Sequence, residues 1–221
     1  MSSIETVNAR STKGGRHAHR TQSEADRCPL CGSTISAATR ARLDEKLRAL
    51  GFRCVTPRTF ERNVLYDTRD RRLRAQQSIL RIRKYGEKWV LTHKCLTPEN
   101  NPAARHKHRI ETETEVADGD ALGTIFTHLG YEPAFTYEKW RTEYADASGH
   151  CVLDETPIGI FAELEGPGDW IDRMGAQLGL KPSQMITLSY GRLFDEWRER
   201  TRSSASDLTF SAIQKDGARR S

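Results

Sequence analysis

Five short segments of the sequence alternate apolar and charged residues with a period of two, and this constrains the fold more than any other feature. In an extended strand, residues i and i+2 lie on the same side of the sheet. Arg81 and Arg83 therefore share a side, with Leu80 and Ile82 on the other, and Thr92 and Lys94 stand opposite Leu91 and His93. Glu111, Glu113 and Glu115 form a third stripe, Lys139, Arg141 and Glu143 a fourth, and Glu163 with Glu165 a fifth. A half-solvated antiparallel sheet gives such alternation on any single strand. Here the stripes also separate by sign, with Arg81/Arg83, Lys94 and Lys139/Arg141 basic and Glu111/Glu113 and Glu163/Glu165 acidic. A face that holds a metal–polyphosphate complex needs that division. Guanidinium and ammonium groups match phosphate oxygens, and carboxylates supply the oxygen shell that Mg²⁺ or Mn²⁺ requires. With its polar side turned inward, such a sheet exposes an apolar side that amphipathic helices must cover.

The rest of the chain supplies those helices. Leu43, Leu47 and Leu50 recur at helical spacing in Ala38–Leu50, and Gly51 follows where a left-handed cap ends a helix. Strands are predicted over Phe60–Asp67, Ser78–Tyr85 and Lys88–Cys95, the last two joined by a tight turn at Gly86-Glu87. A strand over His106–Val116 leads into a helix at Ala121–Leu129, ended by Gly130. Strands at Phe135–Ala145, His150–Thr156 and Gly159–Glu165 come next, followed by helices near Asp169–Leu178 and Ser189–Arg200. Leu50-Gly51-Phe52 and Leu129-Gly130-Tyr131 end helices in similar words, and each precedes three strands. With a strand placed before each helix, both halves read β-α-β-β-β, a duplication that suits one sheet better than two domains.

Composition bounds the remainder. The chain has 221 residues, a formal net charge of +5 and 29% charged residues. No run approaches the roughly 20 apolar residues of a membrane-spanning helix, so no membrane partner is expected. The N-terminus lacks the apolar core of a secretory signal, so a cytoplasmic location is expected. Residues 1–10 are a candidate first strand. Residues 11–37 and 199–221 are polar and aperiodic and read as disordered, the former alternatively as an insertion. The folded domain spans 38–198.

These residues resemble the CYTH superfamily, the group of class IV adenylate cyclases and thiamine triphosphatases also called triphosphate tunnel metalloenzymes. The matching words are Leu80-Arg81-Ile82-Arg83, Leu91-Thr92-His93-Lys94, Arg109-Ile110-Glu111-Thr112-Glu113, Lys139-Trp140-Arg141-Thr142-Glu143-Tyr144, Leu153-Asp154-Glu155, Phe161-Ala162-Glu163-Leu164-Glu165-Gly166 and Ser189-Tyr190. The resemblance implies an α+β fold: an eight-stranded antiparallel barrel forming a tunnel, built from duplicated β-α-β-β-β units with helices packed outside. It implies a hydrolase of triphosphate compounds dependent on Mg²⁺ or Mn²⁺, with an adenylate cyclase as the alternative. By the same carry-over, Arg81, Arg83, Lys94, Arg109, Lys139 and Arg141 hold phosphates, with Lys139 and Arg141 the catalytic pair. Glu5, Glu111, Glu113, Asp154, Glu163 and Glu165 bind metal. The family's first strand reads Glu-x-Glu-x-Lys. This chain keeps Glu5 but has Val7 and Ala9 at the next two positions. That loss keeps a third reading open, a catalytically impaired polyphosphate- or nucleotide-binding protein.

Other signals are weaker. Cys28 and Cys31 form one Cys-x-x-Cys without a second pair, and read as two thiols before a zinc site. The basic run Arg105-His106-Lys107-His108-Arg109 reads as a strand edge, since the acidic stripes disfavour a nucleic-acid backbone. Arg69, Arg71, Arg72 and Arg74 suit a solvated loop, and Trp89 and Trp140 outward packing. The expected partner is a triphosphate-containing small molecule, and a homodimer is compatible with the sequence.

Overall fold

A computed structural model describes residues 17–22, 37–96, 109–179, 185–186 and 188–220. The strands are β1 (His17–Gln22), β2 (Arg53–Thr68), β3 (Ile79–Tyr85), β4 (Lys88–Leu96), β5 (Arg109–Val116), β6 (Tyr131–Ala145), β7 (His150–Thr156), β8 (Gly159–Gly166) and the two-residue β9 (Met185–Ile186). The helices are α1 (Ala37–Ala49), α2 (Arg72–Ala75), α3 (Gly119–His128), α4 (Gly168–Leu178), α5 (Tyr190–Thr201) and α6 (Phe210–Arg220). Leaving aside the single turn of α2, β1 to β4 and β5 to β8 each run β-α-β-β-β, as the internal repeat predicts.

The strands form one antiparallel sheet in the order β5-β4-β3-β2-β6-β7-β8-β1-β9. The predicted α+β class and the eight principal strands are therefore present. The expected closure is not: among the described residues no ladder joins β5 to β1 or β9. The sheet is curled all the same, because Glu165 on β8 lies close enough to Lys94 on β4 and Glu111 on β5 for both to act on its charge.

Two strands are longer than expected, for one reason. Pro57 and Pro133 break the sequence pattern, yet β2 runs through Pro57 and β6 through Pro133. Register shifts between Thr56 and Thr59, and between Leu65 and Tyr66, absorb the missing donors. The helix ends follow the local sequence. Gly51 (φ 89°) and Gly130 (φ 88°) adopt the left-handed conformation past α1 and α3. The Asp118 side chain caps α3 by accepting from the Asp120 and Ala121 amides.

Two apolar clusters flank the sheet. Leu47 of α1 and Trp170, Ile171 and Met174 of α4 pack with Tyr144, Cys151, Leu153, Ile160 and Leu164 on the outer face. The second cluster joins Tyr190, Leu193 and Phe194 of α5 to Tyr137 and Phe161, with Ala205, Leu208 and Ile213. Tyr137 and Phe161 sit on the charged face, because Tyr137 pairs with Asn63 and Phe161 with Asp154. So α5 closes one end of the concave side, where an outer position was expected.

Two segments read as disordered contain structure. β1 lies within 11–37 and pairs along β8 from His17–Gly166 to Gln22–Phe161. In the tail, the Leu208 amide donates to Thr136 O (2.9 Å), and Glu138 N donates to Leu208 O (2.9 Å). Residue 208 thus bridges to Tyr137 in parallel, beside β6. Asp216 holds the same turn through Ser203 (2.6 Å) and Ser204 (2.9 Å). The sequence hides this because few apolar residues, Leu208 and Ile213 among them, anchor a segment otherwise fixed by polar bonds.

Candidate active site

Register places the signed stripes on one face. Directly paired residues of antiparallel strands share a side. The pairs Lys94–Glu111 and Thr92–Glu113, Arg81–Thr92, Asn63–Arg83, Glu61–Lys139, Arg141–Asp154, Val152–Glu163 and His150–Glu165 follow one another across the sheet. Ten of the predicted residues are thereby brought to the concave face: Arg81, Arg83, Lys94, Lys139, Arg141, Glu111, Glu113, Asp154, Glu163 and Glu165. Arg109 opens β5 opposite Leu96. Glu5, with Val7 and Ala9, lies outside the described residues, as do Cys28, Cys31 and residues 105–108.

The middle of this face is a dense ionic network. Asp154, fully buried, accepts from Lys139 Nζ (2.9 Å), from Arg141 Nε (2.8 Å) and Nη2 (2.6 Å), and from the Tyr190 hydroxyl (2.5 Å). Arg141 Nη2 also donates to Glu163 (3.0 Å). The Lys139 ammonium lies 4.8 Å from the Tyr190 ring centroid, a cation–π contact that adds to its anchorage. At the β3–β5 side, Arg81 donates to Tyr137 (3.1 Å), Thr92 (3.1 Å) and Glu113 (3.4 Å), while Thr92 donates to Glu113 (2.7 Å). Lys94 pairs with Glu111 at 2.6 Å.

Glu61 joins the two halves, and the sequence-based set omits it. Its buried carboxylate lies 3.4 Å from Arg83, 3.4 Å from Lys139 and 3.5 Å from Arg141. Burial pushes this carboxyl up, but Lys139, Arg141, Arg83 and Arg81 together outweigh it and hold it at about 2. Neighbouring Asn63 is also fully buried and also omitted. Period-two parity from Glu61 through Asn63 to Leu65 was the available signal, obscured by a lone charge and a neutral amide that make no stripe.

Whether these residues suit a divalent cation is a question of donor chemistry. Asp154 is occupied on both oxygens, so its geometry is that of an anchor. Glu165 is different. It makes no ion pair with a described residue, and burial and then the Glu163 charge push its carboxyl up, with Glu111 adding in the same sense. Carboxylate oxygens crowded without full neutralisation fit a hard cation such as Mg²⁺ or Mn²⁺. Among the described residues no three ligating side chains already converge, so phosphate oxygens and water would complete the shell. At this end His150 Nδ1 is 2.7 Å from Glu143, to which Thr56 also donates (3.2 Å).

Comparison with known proteins agrees with this architecture. A structure of a candidate adenylate cyclase from Vibrio parahaemolyticus matches with a TM-score of 0.63 at 16% identity, covering 82% of this chain and 98% of that one. The PH1819 protein from Pyrococcus horikoshii matches with a TM-score of 0.63 at 20% identity, covering 83% and 99%. A candidate adenylyl cyclase from Hippeastrum, HpAC1, described as having a dominant triphosphatase activity, matches with a TM-score of 0.53 at 15% identity, covering 82% and 95%. No curated protein matches the sequence. At these identities the structures establish the shared fold. The sequence profile of the CYTH domain matches residues 34–170, more than half of the chain, and with the signed concave face this places the chain in the CYTH family.

Proposed function

We propose that the chain is a divalent-metal-dependent hydrolase of triphosphate compounds, with tripolyphosphate, thiamine triphosphate and nucleoside triphosphates as the candidate substrates. The observation that carries this reading is the set of five cations on one concave face, Arg81, Arg83, Lys94, Lys139 and Arg141, each within reach of a carboxylate on the same face. These cations are the phosphate ligands in this reading, joined by Arg109 at the start of β5. Six carboxylates at the centre of the face, Glu61, Glu111, Glu113, Asp154, Glu163 and Glu165, offset the five, and Glu115 and Glu143 lie further along the same stripes. A triphosphate would add roughly four or five negative charges to a face with no positive surplus, and electroneutrality then calls for divalent cations.

Glu111, Glu163 and Glu165 would hold such an ion, with Glu113 completing the set on this face; Glu5 precedes β1, the strand that pairs with Glu163 and Glu165, and lies outside the described residues. The chemistry the ion supplies is neutralisation of charge on the phosphate oxygens. Asp154 does a different job here: it fixes Lys139 and Arg141 in place before substrate arrives. Preorganised cations of this kind stabilise charge that develops on the transferred and leaving phosphates. Burial pushes the Arg141 guanidinium down, but Asp154 and Glu61 outweigh it and keep it charged.

Two other readings rest on specific observations. The Vibrio parahaemolyticus neighbour favours an adenylate cyclase. The register of β1 favours a binding protein, since Ala18 and Arg20 stand opposite Glu165 and Glu163, where neither offers a carboxylate. Incubation with Mg²⁺ or Mn²⁺ and either tripolyphosphate or ATP separates the three. Orthophosphate release is the expected result. Cyclic AMP with pyrophosphate and no orthophosphate establishes the cyclase, and tight tripolyphosphate binding without turnover under any divalent metal establishes the binding protein.

A further inference from the structure

The concave face contains a group that neither phosphate nor metal binding explains. Asn63 on β2 is fully buried, and both its amide nitrogen and its amide oxygen lack a hydrogen-bond partner among the described residues. It sits between Arg83 of β3 and Tyr137 of β6, its direct partners in the ladder. Arg81 Nε and Arg83 Nε lack a hydrogen bond as well, and Glu61 Oε2 has none beyond its long ion-pair contacts to Lys139 (3.4 Å) and Arg141 (3.5 Å). Buried polar atoms are nearly always paired, and one left unpaired destabilises the fold. Four neighbouring residues with orphaned atoms mark a place where a polar ligand completes the bonding.

The type of orphan identifies the ligand. Unpaired guanidinium nitrogens are donors and suit phosphate oxygens. The Asn63 amide presents a donor and an acceptor together. Its Oδ1 would repel a phosphate oxygen unless a proton donor lay between them. The carboxylates of the face are engaged by cations or crowd together, and the hydroxyls of Thr92 and Tyr137 are already bonded. Asn63 Oδ1 is thus the neutral acceptor that can take a hydrogen bond from water beside the phosphate cations. We propose that the Asn63 amide holds and orients the water that attacks the terminal phosphorus. This rests on the hydrolase reading and assigns that reaction's nucleophile. With tripolyphosphate, the water oxygen forms the new bond to the terminal phosphorus. The bridging P–O bond breaks, and its electron pair leaves with diphosphate. One water proton stays on the orthophosphate and the other passes to the diphosphate.

Asn63 is fully buried beside its ladder partner Arg83, so in this proposal Arg83 turns onto the substrate and uncovers the amide. A buried amide kept unpaired for function predicts opposite effects on stability and activity. Asn63→Val and Asn63→Ala are compared with the wild type by thermal unfolding, by calorimetric titration with tripolyphosphate, and by orthophosphate release. The expected result for Asn63→Val is a Tm unchanged or raised by about 2–4 °C. Affinity for tripolyphosphate should stay within about threefold, and kcat should fall about 10²-fold, the loss typical of a mispositioned reactant. Asn63→Ala, which keeps the chain foldable if valine does not fit, should lose kcat similarly. Wild-type kcat in either folded variant overturns the proposal, and so does a loss of affinity as large as the loss of turnover, which would make Asn63 a phosphate ligand. Tripolyphosphate binding by the wild type without orthophosphate release instead overturns the hydrolase reading, and this proposal with it.

Discussion

Replacing Glu61 by glutamine tests the ionic network at its centre. The Glu61 carboxyl lies among Arg83, Lys139 and Arg141 at 3.4–3.5 Å and is fully buried. Its folded value of about 2 compares with 4.5 in the unfolded chain. At about 1.4 kcal/mol per pH unit, that difference corresponds to roughly 3 kcal/mol of stability. The group is depressed in the folded state, so this stability is present above pH 4.5 and is lost as pH falls from 4.5 toward 2. The glutamine variant lacks it at every pH. Urea denaturation at pH 7 should therefore show Glu61→Gln less stable than the wild type by about 3 kcal/mol. The gap should narrow steadily between pH 4.5 and 2.5, because the wild type then loses what the variant never had. Asp146, depressed as well but bonded to Ser148, Gly149 and Trp170 outside this network, titrates in both proteins and cancels in the comparison. Equal stability at pH 7, or a gap that stays constant to pH 2.5, would refute the assignment of Glu61 as the charged hub.

Asp154→Ala should cost about 3–5 kcal/mol, since it leaves buried Lys139 and Arg141 without their principal anion; thermal unfolding should shift down by about 6–20 °C in a chain of this size. Lys88→Ala is the contrasting case: its 2.7 Å pair with Glu115 is exposed on both sides, and its loss should change stability by less than about 1 kcal/mol. Arg81→Ala or Arg83→Ala should weaken tripolyphosphate binding at least about tenfold in a competition assay, since charge-assisted bonds of about 1.5–3 kcal/mol are lost. Gly119→Ala should destabilise by about 1–3 kcal/mol, because a methyl group at the start of α3 would overlap the Trp89 ring; an unchanged unfolding midpoint would contradict that packing.

Much of the architecture is legible in local patterns. Leu47 with Gly51, and Asp118 with Gly130, mark helix boundaries because caps and left-handed glycines act within a turn. Arg81/Arg83, Glu111/Glu113 and Glu163/Glu165 mark the concave face because a strand alternates sides at every residue. Less legible are features that depend on a distant partner. Pro57 and Pro133 look like strand breakers until register shifts against the neighbouring strand accommodate them. The segment after Thr201 looks solvated until Leu208 bonds beside Tyr137 and Asp216 gathers Ser203 and Ser204. Asp154 reads in the sequence as one carboxylate among several, and only the fold brings Lys139, Arg141 and Tyr190 onto its oxygens. Glu61 and Asn63 make no stripe, and only burial between β3 and β6 gives them weight.

By itself the sequence determined the period-two stripes, their segregation by sign and the duplicated order of elements, since each depends on spacing along the chain. The tertiary structure decided which charges neutralise one another, which end α5 closes, and which polar atoms are left without partners. Those properties depend on distances and burial between residues far apart in sequence, and a charge's neighbours in space set both its pKa and its role.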